Sequence, residues 1–555
     1  MRYLIAAIFS LIFAVSFGHA AFFQGAVSNN GGGGGGPVAF ALPTGSTLKY
    51  MAPTGNDACN GTSPSIGSSG NCAWASPTHA MHCGEVIIAA AGNYYNSTND
   101  MGSFGTVSNC PSTTGGIDGT GGIYAAVMLC GGSDITACKV NCHLGSPCNS
   151  PNSIPALINV AASNWAVEGF QITAGGATEA GNGSIAMQSM GCASTTHDIF
   201  FVNNFTFQVG QAYANSDVCG PGNSGSDYIG VVGNIGQAAN LADFNSVSYC
   251  IAAFDIISPG KFDSGSGTHY FLYNNYTWNN IEPHCNTNFD GEDFMYDTLN
   301  NHSVTGKFVT ANNLAYFATR YCINFTYGAT VTVTSRFYNN TCYDDMQHPD
   351  AGDSNGGEVY TTGCFATLQI FNNIAYQPHA TSGTSSTPLY AAVANPSCTY
   401  SIGGAYSSGD NNLYKGAQTT CSGDTCDAGF NVTQSGVGST GIGTNTYANP
   451  AFNNTTDLIN NQLGTPTCTG FVTTTACLGY DPNTSTLTNP SIIYDLQPTV
   501  GGSAGKGFQL PSTTCVTSGE MFNDYPPHLK GLVYLHWNGT SITENQDLAT
   551  KPCNM

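Results

Sequence analysis

The chain has very little positive charge. Its 555 residues include only 11 Lys and Arg against 33 Asp and Glu, for a formal net charge of −22. Nucleic-acid binding needs a positive footprint, and none is present. A polyanionic partner would be repelled unless a cation bridged it. Long apolar runs are also scarce. Beyond residue 20 no segment has 18 uninterrupted apolar positions, so no membrane span is expected in the mature chain. Nothing reads as a long amphipathic helix. Charged residues are only 8% of the chain, but aromatics reach 11%, too many for a disordered tail. What is abundant is Gly, at 69 residues, with Asn, Thr, β-branched and aromatic side chains. That balance points to an all-β protein with many turns.

A phrase recurs along the middle of the chain: a β-branched or aromatic run that ends in an Asn pair. It reads Ile199-Phe200-Phe201-Val202-Asn203-Asn204, then Tyr270-Phe271-Leu272-Tyr273-Asn274-Asn275. It returns at Asn312-Asn313, Asn339-Asn340 and Asn372-Asn373, and Gly233-Asn234 is a variant. From Asn204 the second Asn recurs after 30, 41, 38, 27 and 33 residues. A strand that keeps stopping at one polar corner describes a solenoid, in which each coil buries its face on the next. Asn tolerates left-handed backbone angles, and its amide can bond to its copy one coil away. The uneven spacing implies loops of different length, where solenoids usually carry function.

Residues 1–20 read as a secretory signal: Arg2, an apolar stretch from Leu4 to Phe17, and the small-residue site Gly18-His19-Ala20. A secreted, extracellular protein is expected. All 22 Cys lie beyond it, and an even count in an exported chain favours disulfides. The expected near-neighbour pairs are Cys421 with Cys426, Cys468 with Cys477, and Cys322 with Cys342 across adjacent coils. Cys138, Cys142, His143 and Cys148 could also be read as a zinc site, but their spacing fits no common module. Thirteen Asn-X-Ser/Thr sequons occur, among them Asn60, Asn96, Asn204, Asn275, Asn324 and Asn538. They mark glycans only where the host glycosylates exported chains.

Residues 21–48 form a Gly-rich flexible spacer that includes Gly31 to Gly36. Beyond it, Gly55-Asn56-Asp57, Gly61-Thr62, Trp74-Ala75-Ser76-Pro77 and Gly84-Glu85-Val86-Ile87-Ile88 follow in order. Trp165 to Ile172, Tyr321 to Tyr343 and Asn449-Pro450-Ala451-Phe452 continue the series. In this order the segments resemble secreted right-handed parallel β-helix proteins of the pectate-lyase-like superfamily. The resemblance covers residues 49–510 and implies that fold for them. It also implies a short helical cap on the first coil at Pro77 to Cys83. Residues 511–555, with Cys515 and Cys553, are expected to form a disulfide-stapled C-terminal cap, since a solenoid end must be covered.

The densest acidic constellation is Asp290-Gly291-Glu292-Asp293-Phe294-Met295-Tyr296-Asp297, with His284 just before it. Strand alternation puts Phe294 and Tyr296 in the core, and Asp293 and Asp297 outward. Crowded carboxylates repel, and a hard cation relieves them, so Ca²⁺ held by Asp290, Glu292 and Asp293 is the candidate cofactor. The phrase resembles the calcium-site motif of family-nine pectate lyases. Phe289 stands where that family has its first acid. Asn324 aligns with the family's Lys, which removes the proton beside the uronate carboxylate. Lys307 and Arg320 are the nearest replacements. A second acidic loop, Asp344-Asp345 to Asp350, supplies a possible partner carboxylate for hydrolysis.

Each of these residues has a plainer reading. An Asp at a strand end can be a turn former or a structural calcium ligand. His284 can be a loop histidine, and Arg320 a structural ion-pair partner. The expected function is carbohydrate-directed: cleavage of an extracellular polysaccharide by a Ca²⁺-assisted uronate lyase or a two-carboxylate hydrolase. The alternative is a non-enzymatic surface or matrix rod that binds glycans, because fold does not decide function.

Overall fold

The computed structural model describes residues 45–94 without a break, then strands and tight corners to residue 447. It also describes short strands at 38–39, 480–481, 486–487, 535–537 and 542–544. Three long parallel sheets run through the molecule. The first has 12 strands, from Lys49–Met51 to Gly438–Ser439. The second has 11, from Gly92–Tyr94 to Thr446–Tyr447, and the third has 9, from Ile158–Val160 to Phe430–Val432. A coil takes one strand from each in turn, as in Thr268–Tyr273, Tyr276–Trp278 and Phe294–Thr298. The molecule is therefore a parallel β-helix, as the repeated phrase implies. Among the described residues there is no helix. Residues 77–83 depart from the expected helical cap. Met81–His82 is a strand paired with Val107–Ser108, and Cys83 is bridged to Cys110, which holds this segment extended.

The core is built from in-register rows. Trp165, Ile199, Ile229, Tyr270 and Phe308 form one row on the inner face of the first sheet, and Val167, Phe201, Val231 and Leu272 another. All are buried, and each such side chain is worth about 1.5–3 kcal/mol when fully buried. The outer face of this sheet is buried too, at Phe200, Phe271, Tyr273 and Tyr338. Continuous apolar runs such as Ile199 to Val202 suit a sheet covered on both sides. Strands Leu535–Trp537 and Ile542–Glu544 form an antiparallel sheet with Val38–Ala39, and Leu535–Trp537 lies against Ala126–Cys130. Cys515 and Cys553 lie outside the described residues.

The Asn pairs divide their work. At the two described first positions the backbone is left-handed, with φ of 51° at Asn203 and 67° at Gly233. The second forms a buried ladder through Asn204, Asn234, Asn275, Asn313, Asn340 and Asn373. Each backbone N–H of this series donates to the next side-chain Oδ1, at 2.9, 3.0, 2.8, 3.0 and 2.9 Å. The Nδ2 of Asn275 donates to Asn313 Oδ1 at 3.0 Å and to Val231 O at 2.8 Å. The buried side-chain amides of the corner are thereby paired with one another and with backbone carbonyls.

Disulfides join Cys59 to Cys72, Cys83 to Cys110, Cys130 to Cys138 and Cys322 to Cys342. Among the described residues no cysteine is free. The Cys322–Cys342 bridge is as expected, and the bond of Cys138 to Cys130 removes it from any zinc set. The pairs expected at Cys421 with Cys426 and Cys468 with Cys477 lie outside the described residues.

Candidate functional site

Phe294–Thr298 is the third-sheet strand of the acidic constellation. Phe294 and Tyr296 are buried in the core, as alternation requires. Burial pushes the Tyr296 phenol pKa up, against a smaller lowering from its bond to Thr310. Met295 is registered with Asp255 on one side and Asn324 on the other. Asp297 is registered with Ile257 and Thr326.

Glu292 and Asp293 occupy the bend before this strand. The stacking of coils continues through the bend. Asp293 N–H donates to Tyr321 O at 3.1 Å, and the carbonyls of Glu292 and Asp293 accept from Ala253 and Phe254 at 2.9 and 3.0 Å. The two carboxylates have different partners. Glu292 Oε1 accepts from Asn324 Nδ2 at 3.0 Å, one coil further on. Asp293 Oδ1 accepts from Thr277 Oγ1 at 3.2 Å. Thr277 lies in a second-sheet row between Gly236 and Ala315, and Ala315 belongs to the core. Asp293, at 0% exposure, is thus directed into the solenoid and not outward with a surface groove. Strand parity fails here because Asp293 sits in a bend.

Of the other expected site residues, Lys307 is described. Lys307 is half-buried and heads a first-sheet strand, registered with Thr268 and Thr334. Asp290, His284, Arg320, Asp344 and Asp345 lie outside the described residues. Among the described residues no three Asp, Glu, His or Cys side chains gather to hold a metal ion. Glu292 and Asp293 are engaged by an amide on one side and a hydroxyl on the other.

A second polar cluster carried no motif in the sequence. His197 Nδ1 lies 2.7 Å from Asp198 Oδ2, and His269 Nδ1 lies 2.7 Å from Asp227 Oδ1. His197 and Asp227 are register partners on neighbouring coils, so the two pairs adjoin. Asp227 Oδ1 also accepts the Tyr228 N–H at 2.7 Å, and the Tyr228 ring stacks on His269 with centroids 4.6 Å apart. Asp198 and Tyr228 both have left-handed backbone angles, φ 56° and 51°. Such angles are costly for a residue as bulky as Tyr and persist only where the surroundings hold them. The pairs fix two imidazole rings. Asp227 and His269 are 42 residues apart, so no local spacing could have shown them.

No family model matches the chain, and no curated protein sequence matches it. Among solved structures it is similar to pectate lyase Pel9A, with TM-score 0.30 and 13% identity over 79% of this chain and 90% of that one. It is also similar to the GH136 lacto-N-biosidase from Eubacterium ramulus. The native form of that protein has TM-score 0.29 and 10% identity over 64% of this chain and 68% of that one. Its selenomethionine derivative has TM-score 0.32 over the same shares. These values carry no argument about activity. The parallel ladder itself defines the class of protein.

Proposed function

We propose that the chain is an exported, carbohydrate-directed β-helix protein that engages an extracellular polysaccharide along the third sheet, with Glu292 and Asn324 buried behind the contact surface. The observation behind this reading is the Glu292–Asn324 hydrogen bond of 3.0 Å, beside the registered row Asp255, Met295 and Asn324. Glu292 and Asn324 are 0% and 3% exposed, so in this reading their bond fixes the sheet behind the sugar and does not itself touch sugar hydroxyls.

Cleavage is the enzymatic form of this reading. Hydrolysis would draw on Asp297 with Asp344 or Asp345 as the two carboxylates. Elimination would need a base, for which Lys307, Arg320 and His284 are the candidates. Ca²⁺, with Asp290 as a further ligand, would acidify the hydrogen beside a uronate carboxylate. This reading gives Asp293 no sugar contact, since it is buried and bonded to Thr277 inside the coil.

Binding without cleavage is the second reading. It is favoured by Asn324, whose amide is no base at neutral pH and stands at the position expected for one.

A panel of polysaccharides, acidic and neutral, tested with and without Ca²⁺, separates the forms. Near-ultraviolet absorbance of unsaturated ends identifies elimination. New reducing ends without it identify hydrolysis. Retardation in affinity electrophoresis with neither identifies a binding rod. Binding that is unchanged in Glu292→Gln and Asn324→Ala would move the site elsewhere. No response to any polysaccharide would end the carbohydrate reading.

A further inference from the structure

Four of the sequon asparagines lie among the described side chains discussed above, and the fold treats them in two opposite ways. Asn204, Asn275 and Asn324 are 0%, 1% and 3% exposed. Both amide hydrogens of Asn204 are used, toward Val167 O at 3.0 Å and Asn234 Oδ1 at 3.1 Å. Both of Asn275 are used as well, toward Val231 O and Asn313 Oδ1. Asn324 Nδ2 is bonded to Glu292, and its sequon neighbour Phe325 is in the core. Asn60 differs. It is exposed, and its loop is closed by the Cys59–Cys72 bridge. Its Nδ2 donates to Asn71 Oδ1 at 2.7 Å, also at the surface. Thr62, the sequon hydroxyl, is exposed and donates to Asn60 Oδ1 at 2.6 Å. Gly61 between them has φ +70°, and a Cβ there would lie 2.5 Å from the Trp74 ring, so the loop backbone rests on that ring.

We propose that Asn60 is an N-glycan acceptor, and that Asn204, Asn275 and Asn324 are closed to the same modification in the folded protein. The step joins Asn60 Nδ2 to the anomeric carbon of a lipid-linked oligosaccharide. The anomeric C–O bond to pyrophosphate breaks, the lipid pyrophosphate leaves, and the amide loses one proton. A glycosylated amide keeps a single N–H. That is enough for the bond from Asn60 to Asn71. It is one too few for Asn204 and Asn275, where the lost bond is buried and a sugar would have to enter the coil stack. This inference does not depend on the carbohydrate reading. Nor does it depend on residues 1–20 in the test below, where a host leader supplies export.

The full chain is expressed behind a host secretion leader in a glycosylating eukaryotic cell. Glycopeptides from the folded, protease-resistant fraction are mapped by mass spectrometry. Sugar is expected on Asn60, with bare amides at Asn204, Asn275 and Asn324. Thr62→Ala should remove the Asn60 glycan alone and leave thermal unfolding unchanged. If little folded protein is recovered, blocking lipid-linked oligosaccharide synthesis should raise the folded yield. A glycan on any of the three ladder or core asparagines in the folded fraction overturns the proposal. So does a bare Asn60, or a poor folded yield that the block does not improve.

Discussion

Asp293 occupies the position that Cys322 fills one coil later. Phe294 and Ile323 are register partners, and the residue before each is fully buried. In the three preceding coils this position holds Ala186, Ala212 and Ala253, all buried. A carboxylate therefore stands where the stack otherwise takes a methyl group or a sulfur, and Thr277 is its hydroxyl partner. Thr277→Val should destabilise the protein by about 1–3 kcal/mol, because it strips a hydrogen bond from a buried carboxylate. Adding Asp293→Ala should recover most of that loss. The coupling can be read from a urea double-mutant cycle. Additive losses would mean that the two side chains act separately.

The ladder should be most sensitive at its centre. Asn275 Oδ1 accepts from both the backbone N–H and the Nδ2 of Asn234, and Asn275 Nδ2 donates in turn to Asn313 Oδ1 and Val231 O. Asn275→Ala leaves at least two buried groups unpaired, at about 1–3 kcal/mol each. A loss of about 2–4 kcal/mol is expected in chemical denaturation. A loss under about 0.5 kcal/mol would show that water replaces the amide.

The Cys322–Cys342 bridge, with both residues buried, should resist reductant in the native protein and yield only after unfolding. Its two sulfurs join neighbouring coils 20 residues apart, and loops of that size give about 3 kcal/mol of stabilisation. Replacing both by Ala should cost about 2–4 kcal/mol. Thiol titration of native and denatured protein under reductant checks the order of events.

Asp57 governs acid stability at the first coil. Burial pushes its pKa up. Hydrogen bonds from the Ser76 and His79 side chains and from the Ala75 and Ser76 backbone outweigh that, and hold it below its ordinary value of 3.8. A depressed carboxylate pKa stabilises the fold above the ordinary value, and the benefit is lost as pH falls through the lower folded one. Amide exchange at Ala75 and Ser76 should quicken as pH is taken below 3.8, beyond the intrinsic trend. In Asp57→Asn this acid-specific change should be absent.

Much of the fold was legible in the sequence, because its cause is local and repeated. A strand and a ladder amide recur in that order, with a left-handed residue between them at Asn203 and Gly233, and the spacing of Cys322 and Cys342 fits one coil step. The core positions of Phe294 and Tyr296 follow from alternation alone. Asp293 was misplaced because alternation holds within strands and not in the bend before one. Its partner inside the coil, Thr277, lies in another sheet and meets it only once the coil is folded. The Asp227–His269 pair was invisible for the same reason: it joins residues a whole coil apart. One available signal went unread. The unbroken apolar run Ile199 to Val202 already implied that the first sheet is covered on both faces.

That double cover bears on how the protein can change over time. In a solenoid with one free side, a coil can be inserted or deleted and its neighbours simply close the gap. Here Phe200, Phe271, Tyr273 and Tyr338, on the outward face of the first sheet, are buried as well. Removing a coil would shift every later side chain on that face by one strand spacing, about 4.8 Å. Length variation should therefore be confined to the loops between strands, and the number of turns should behave as a fixed property of the molecule.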